Sequence, residues 1–316
     1  MVFGGERDLF FDWASVTKAA FAVAFARSGM DRREMLGSSR SALRGLGESR
    51  GTAAEDATLE ACLAHRAGFP AHLDLFTSHA QTCACEELGS RREHARYVSE
   101  QLAIACRSRT ASRAPLYSDV GYLLAGRAVA GDDVDDFIAR HVDLGDASRE
   151  MGSARQLALP RERFAPTEHV AWRGGEIRGH VHDENAWAIS GDAASAHAGL
   201  FGTIRALLAF GVFAMRAARE HPWLVAPREG SPPSTLRAGF DGKSAIDSSA
   251  GTVLGPNTFG HLGFTGTSVW IDPDARVVVA LLTNRVCPTR DNVRIRAARP
   301  RVHDELALLA RASRAP

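Results

Sequence analysis

TSVWIDPDARVVVALLTNR, residues 267–285, holds two runs rich in β-branched residues joined by Asp272-Pro273-Asp274-Ala275. Runs of that kind meeting at turn-forming residues predict a β-hairpin. Around it the chain reads as helix. PRVHDELALLARAS (300–313) predicts a closing helix, and SAHAGLFGTIRALLAFGVFAMRAA (195–218) contains one that starts near Thr203. Helical periodicity also marks RREHARYVSEQLAIAC (91–106), DVGYLLAGRAVAG (119–131) with Asp119 as N-cap, and DVDDFIARHVDL (133–144). TLEACLAHRAG (58–68) reads as a short helix ended by Gly68 and Pro70. ASVTKAAFAVAFARSG (14–29) is apolar on nearly every face, which predicts a buried helix stopped at Gly29. Residues 37–56 read as a surface loop, and 145–185 are mixed. A late hairpin flanked by helices, after a long helical middle, predicts an α+β fold: an antiparallel sheet flanked by helices, plus a helical lobe.

With 316 residues the chain can build one large two-lobed domain or two ordinary ones. A formal net charge of +1 gives no field favouring nucleic acid or an acidic membrane surface. No stretch is long and apolar enough to predict a transmembrane helix. MVFGGERDLFFDW carries charges where an export signal needs an apolar core, so the chain as written reads as cytoplasmic. A start further upstream would allow export to the periplasm or beyond. Five scattered cysteines (62, 83, 85, 106 and 287) predict free thiols, and Cys83 and Cys85 are too close for a zinc knuckle.

Every cation but Lys18 and Lys243 is an arginine. Lys18 follows Ser15 by three residues, which on a helix puts both side chains on one face. A serine at a helix start lies where a developing oxyanion is favoured. A lysine with a lowered pKa could take its proton, a task closed to arginine. With 23 serines and two lysines, chance alone yields roughly 0.15 such spacings, so the motif needs company. LYSDVGYLLAG (116–126) sets Tyr117 just before a predicted helix, where a phenol beside an ammonium could serve as acid or base; a half-buried packing tyrosine is the plainer reading. GHLGFTGTSVWIDP (260–273) opens the hairpin, with Gly263 and Gly266 allowing close backbone approach and His261 able to meet a carboxylate.

Taken together, Ser15-Val16-Thr17-Lys18, Tyr117-Ser118-Asp119 and His261-Leu262-Gly263 resemble the serine β-lactamase and penicillin-binding protein superfamily, in its class C and esterase-like branch. AHRAGFP (64–70) and VHDENAWAISGDAASAHAGLFGT (181–203) share the likeness, which spans roughly residues 10–310. The resemblance implies a β-lactamase/DD-peptidase-like fold in one domain, 1–316, with an α/β lobe near 1–55 and 195–316 and a helical lobe near 56–194. It implies acyl transfer through a Ser15 ester, activated by Lys18, with Tyr117 as base or shuttle in hydrolysis. The N–H groups of Ser15 and Phe264 would form the oxyanion hole, and His261, Gly263, Phe264 and Asp119 would face the substrate. Asp119 stands where many relatives carry Asn, and its charge should keep Lys18 protonated, which moves weight toward Tyr117. The substrate would be a β-lactam, a D-amino-acid peptide or a small ester, with no cofactor and no metal. The rival reading is a binding or regulatory protein that keeps the cleft without turnover. Relatives carry a helix and two strands before this serine, whereas 14 residues precede Ser15 here, so a narrower sheet with an unpaired edge is expected.

GHVHDENA (179–186) groups His180, His182, Asp183 and Glu184, but metal ligands of comparable density stand nowhere else, so a tied-down polar loop is the better reading. His197 reads as structural, and His65 with Arg66 as a helix-end cap or packing pair.

Overall fold

A computed structural model describes residues 4–38, 46–77, 91–229 and 232–313; Cys83 and Cys85 lie outside them. In chain order the elements are β1 (Phe11–Asp12), α1 (Val16–Arg27), α2 (Leu59–Leu63), α3 (Arg91–Arg107), α4 (Asp119–Ala130), α5 (Val134–His141), β2 (Met151–Ser153), α6 (Ala154–Leu157), β3 (His169–Val170), β4 (Gly175–Glu176), α7 (Glu184–Ser190), β5 (Leu200–Gly202), α8 (Ile204–Glu220), β6 (Asp241–Gly242), β7 (Phe259–Leu262), β8 (Ser268–Asp272), β9 (Val277–Leu281) and α9 (Ile295–Ala312). The α+β expectation holds. The main sheet is antiparallel in the order β6-β7-β8-β9, and a smaller one runs β1-β5-β2.

The hairpin forms as read, with Val269 opposite Ala280 and Ile271 opposite Val278. Its turn is held by the Asp272 carboxylate, which accepts from the N–H groups of Asp274 and Ala275 at 3.1 and 2.9 Å. Side chains alternate across the sheet. Val269 and Ile271 enter the core that α1 and α8 share, while Trp270, Val277 and Val279 pack toward α9. Each such side chain stabilises by roughly 1.5–3 kcal/mol when fully buried. Gly211 lets α8 lie close on the sheet, since an added Cβ would meet Val278 and stand 3.3 Å from Val269.

Helix α1 is buried from Val16 to Ala26 and packs between α5, α8 and β7, as its all-round apolar sequence requires. Three boundaries differ from expectation. α2 ends at Leu63, because His65 adopts φ +57° and turns the chain. The cap of α4 is Ser118, whose hydroxyl accepts from the Gly121 N–H at 3.0 Å, not Asp119. The last helix starts at Ile295 rather than Pro300, because the Ala298 N–H already bonds the Arg294 carbonyl at 3.2 Å and carries the helix through the proline.

Among the described residues β9 pairs with β8 alone, so the main sheet has four strands and an open edge. Beside it runs a groove of about 530 Å³, walled by Leu208 and Val212 of α8 and by Leu306 and Leu309 of α9. Cys62 and Cys106 are buried free thiols and Cys287 is a partly exposed one.

Buried histidines make the fold sensitive to acid. Burial pushes His261 down to about 3 and His303 to about 4, and it holds His65 and His182 below the ordinary value as well. Below pH 6.5 the unfolded chain therefore binds protons that the native state refuses, and stability falls as the pH falls, by about 1.4 kcal/mol per unit for His261 and for His303 until each reaches its folded value. Buried Asp12 and Asp241, both raised to about 6, take up protons in the native state and act in the opposite sense. Four groups outweigh two. The urea midpoint is expected to drop between pH 7 and pH 4.5; a midpoint that stays level or rises contradicts this balance.

Candidate active site

Ser15 stands at the start of α1, immediately after a strained residue: Ala14 has φ +46°, the left-handed region that costs a side-chain-bearing residue about 1 kcal/mol or more. Several bonds hold that turn. The Ala14 N–H donates to Asp12 Oδ1 at 2.7 Å, and Asp12 Oδ2 accepts from the His182 N–H at 2.8 Å. Two threonines of the third box donate to the same segment, Thr265 to the Asp12 carbonyl at 2.7 Å and Thr267 to the Trp13 carbonyl at 3.0 Å. The Ser15 hydroxyl makes no capping bond and is left for Lys18. Among the described residues neither the Ser15 N–H nor the Phe264 N–H has a partner.

Lys18 is fully buried. Its Nζ donates to Ser15 Oγ at 2.9 Å and to the His197 carbonyl at 3.1 Å, and lies 2.6 Å from Asp119 Oδ1. Two hydrogen-bond acceptors and a carboxylate in ion-pair contact suit an ammonium. Burial opposes the charge, yet Asp119 and then Tyr117 outweigh it and raise the Lys18 pKa above its ordinary value. Lys18 is thus not the neutral base that the serine–lysine spacing alone would invite.

The second box is organised by His65. Its buried ring stacks on Tyr117 with centroids 4.6 Å apart, and its Nδ1 accepts from the Ser118 N–H at 3.0 Å. Tyr117 lies 4.8 Å from Lys18 Nζ, measured to the ring centroid. Burial raises the Tyr117 pKa, while the Lys18 charge and a hydrogen bond with Ser15 pull the other way without reversing it. Because Ser118 caps α4, the Asp119 carboxylate is free to face Lys18.

In the third box Gly263 approaches closely, its N–H donating to the Thr267 carbonyl at 2.7 Å. His261 is buried, its Nδ1 2.8 Å from the Leu262 carbonyl. Burial, then the Lys18 charge, keep it neutral at physiological pH, which leaves His261 a hydrogen bond rather than a positive charge to offer a carboxylate. Three arginines stand nearby. A cavity of about 250 Å³ in front of Ser15 is lined by Tyr117, Gly263, Phe264, Arg285, Arg296 and Arg299. Arg299 is 8% exposed and donates from Nη2 to the carbonyls of Gly263 (2.7 Å) and Thr267 (2.9 Å). Its Nε is buried without a partner among the described residues. Phe264, 47% exposed, lies against the His182 ring at 5.7 Å and under Arg285 at 4.4 Å. Nothing in the sequence singles out Arg299 in a chain so rich in arginine.

The polar loop at 179–186 gathers no metal site. His180 Nδ1 is 2.8 Å from Asp192, His182 Nε2 is 3.7 Å from Glu168, and Asp183 turns to His197. No group of three potential ligands converges among the described residues. No helix of the described residues is long and apolar enough to cross a membrane.

A buried ammonium against a helix-start serine, a tyrosine before a second helix and a glycine-bearing sheet strand closing over both define one class of fold, that of the serine β-lactamases and penicillin-binding proteins. Solved structures agree. A penicillin-binding protein from Bacillus halodurans superposes with TM-score 0.62 at 14% identity, covering 93% of this chain and 86% of its own. A β-lactamase from Mycobacterium bovis gives 0.60 at 16% identity over 98% and 90%, and EstCE1, a hydrolase with promiscuous acyltransferase activity, gives 0.59 at 17% over 93% and 85%. The Beta-lactamase family model matches residues 6–303, and the chain belongs to that family. An N-acetylmuramyl-L-alanine amidase of Bacillus subtilis (strain 168) is 27% identical over 195 residues, 54% of this chain and 44% of the relative. A putative D-alanyl-D-alanine carboxypeptidase of Escherichia coli (strain K12) is 27% identical over 54% of this chain and 45% of its own. The chain thus spans about half the length of the curated relatives it matches.

Proposed function

We propose that the chain is a serine hydrolase that forms an acyl-enzyme on Ser15 and releases it to water. The observation that carries this reading is Lys18 Nζ, 2.9 Å from Ser15 Oγ and held there by the His197 carbonyl and the Asp119 carboxylate. With both Lys18 and Tyr117 raised, neither offers a free base at neutral pH. A relay needs none. As Ser15 Oγ attacks the carbonyl carbon, its proton passes to the Tyr117 oxygen while the Tyr117 proton passes to the leaving group. Lys18 stays charged and steadies the oxygens that exchange protons. The N–H groups of Ser15 and Phe264 receive the oxyanion. Water then repeats the relay in reverse and frees Ser15.

Arg299 and Arg285, rather than His261, supply positive charge at the cavity, so the substrate carries a carboxylate. A β-lactam, a D-amino-acid peptide and a small acidic ester share that property. The likeness to a putative D-alanyl-D-alanine carboxypeptidase supports the peptide arm.

The test incubates the folded protein with a fluorescent penicillin and with p-nitrophenyl esters, with and without a terminal carboxylate, followed by peptide mapping. The expected adduct lies on Ser15, with acidic esters preferred about tenfold in kcat/KM, about 1.4 kcal/mol of binding. An adduct on another residue overturns the assignment. A folded protein with neither adduct nor turnover favours the binding protein instead.

A further inference from the structure

Lys18 has three polar partners, and one of them, the His197 carbonyl, is unlike the others. Ser15 and Asp119 begin helices α1 and α4, and their places are set by those helices. The His197 carbonyl belongs to a connection between α7 and β5 that has no sheet partner of its own. What holds it is a row of three side chains. The His197 ring spans from Ser195 Oγ, 2.9 Å from Nδ1, to Asp183 Oδ1, 3.1 Å from Nε2. Asp183 also caps α7, accepting from the Ala186 N–H at 2.8 Å. A backbone bond from the Ser195 N–H to the Ala198 carbonyl, 2.9 Å, closes the turn beneath the ring.

The row looks like a serine–histidine–aspartate triad and is not one. Ser195 is 2% exposed and His197 1%, so no substrate reaches the hydroxyl. The ring is also reversed relative to a serine-activating histidine: Nε2 faces the carboxylate and Nδ1 the hydroxyl. A carboxylate only accepts, so Nε2 carries a proton toward Asp183, and Nδ1 shares a hydrogen with the Ser195 hydroxyl. Every polar atom of the ring is spent on fixing its own backbone.

We propose that Asp183, Ser195 and His197 are positioning residues that clamp the His197 carbonyl and thereby set the orientation of the Lys18 ammonium toward Ser15. This refines the serine hydrolase reading, in which Lys18 must face Ser15. A loose carbonyl would leave one N–H unpaired, and the ammonium would swing toward Asp119 and away from Ser15 Oγ. The clamp itself is a physical statement about Lys18 that holds whether or not Ser15 is the nucleophile.

With only Lys18 and Lys243 in the chain, lysine labelled with ¹⁵N at Nζ gives two ammonium signals. In the unmodified protein the Lys18 signal is expected to exchange slowly with solvent, because the ammonium is buried, donates to Ser15 Oγ and to the His197 carbonyl, and is ion-paired with Asp119. His197→Ala, which keeps the carbonyl but removes its tether, should speed that exchange at least tenfold and shift the signal, with Lys243 unchanged. Acylation of Ser15 should slow about 10- to 100-fold with KM within about twofold. Asp183→Asn keeps the cap and the bond but removes the charge, and should fall between the two. A folded His197→Ala protein whose Lys18 signal and exchange match the parent overturns the clamp. Should that variant fail to fold, Ser195→Ala, which cuts one tether, is judged by the same criterion. Absence of any acylation in the parent rejects the hydrolase reading alone, since the ammonium measurement still decides the clamp.

Discussion

Lys18→Arg is expected to lower the rate of Ser15 acylation by about 10³-fold or more, despite keeping the charge. The pocket is built for a point cation. Its polar partners, Ser15 Oγ, the His197 carbonyl and Asp119 Oδ1, surround one nitrogen that has no exposed surface. A planar guanidinium presents its donors as a fork and cannot meet three partners around a single point. It is also bulkier, and overpacking of this kind costs roughly 1–3 kcal/mol. Stopped-flow acylation with an acidic ester, alongside circular dichroism to show the variant folded, measures the loss. An arginine variant that acylates within tenfold of the parent would mean that the site needs no point cation, and the account of a pocket built around one nitrogen would have to be abandoned.

Gly263→Ala should remove adduct formation and destabilise the protein by about 2–4 kcal/mol. An added Cβ would overlap Thr267 Oγ1 and stand 2.5 Å from the Trp13 carbonyl oxygen. Those two atoms are bonded to each other, and that bond fastens the third box to the turn before Ser15. The strand must retreat, and Phe264 with its N–H retreats too. Urea unfolding and fluorescent-penicillin labelling read the two effects separately. Full labelling at parental stability would show that the box has slack that these distances deny.

The hairpin was legible because both of its runs are β-branched and because Asp272 is a turn-forming residue at the turn itself. Ser15 and Lys18 were legible because a spacing of three is a statement about one helix face. What stayed hidden depends on contacts between distant segments. Ser118 and Asp119 are both good caps by type, and Lys18, a hundred residues away in the chain, decides between them. The pattern His-x-Gly does not say that the ring will be buried beside an ammonium, which is what silences His261. Arg299 enters the cavity from the last helix, and its sequence neighbourhood has no mark of a site. One partner of Lys18 is a backbone carbonyl, which no residue type encodes.

Adjacent residues at the start of α4 divide two duties: Ser118 secures the helix and Asp119 faces the ammonium. For protein engineering this makes them separate dials. Exchanging Ser118 for Asn or Thr adjusts the helix cap without adding charge, whereas exchanging Asp119 for Asn removes the charge beside Lys18 and leaves the cap in place.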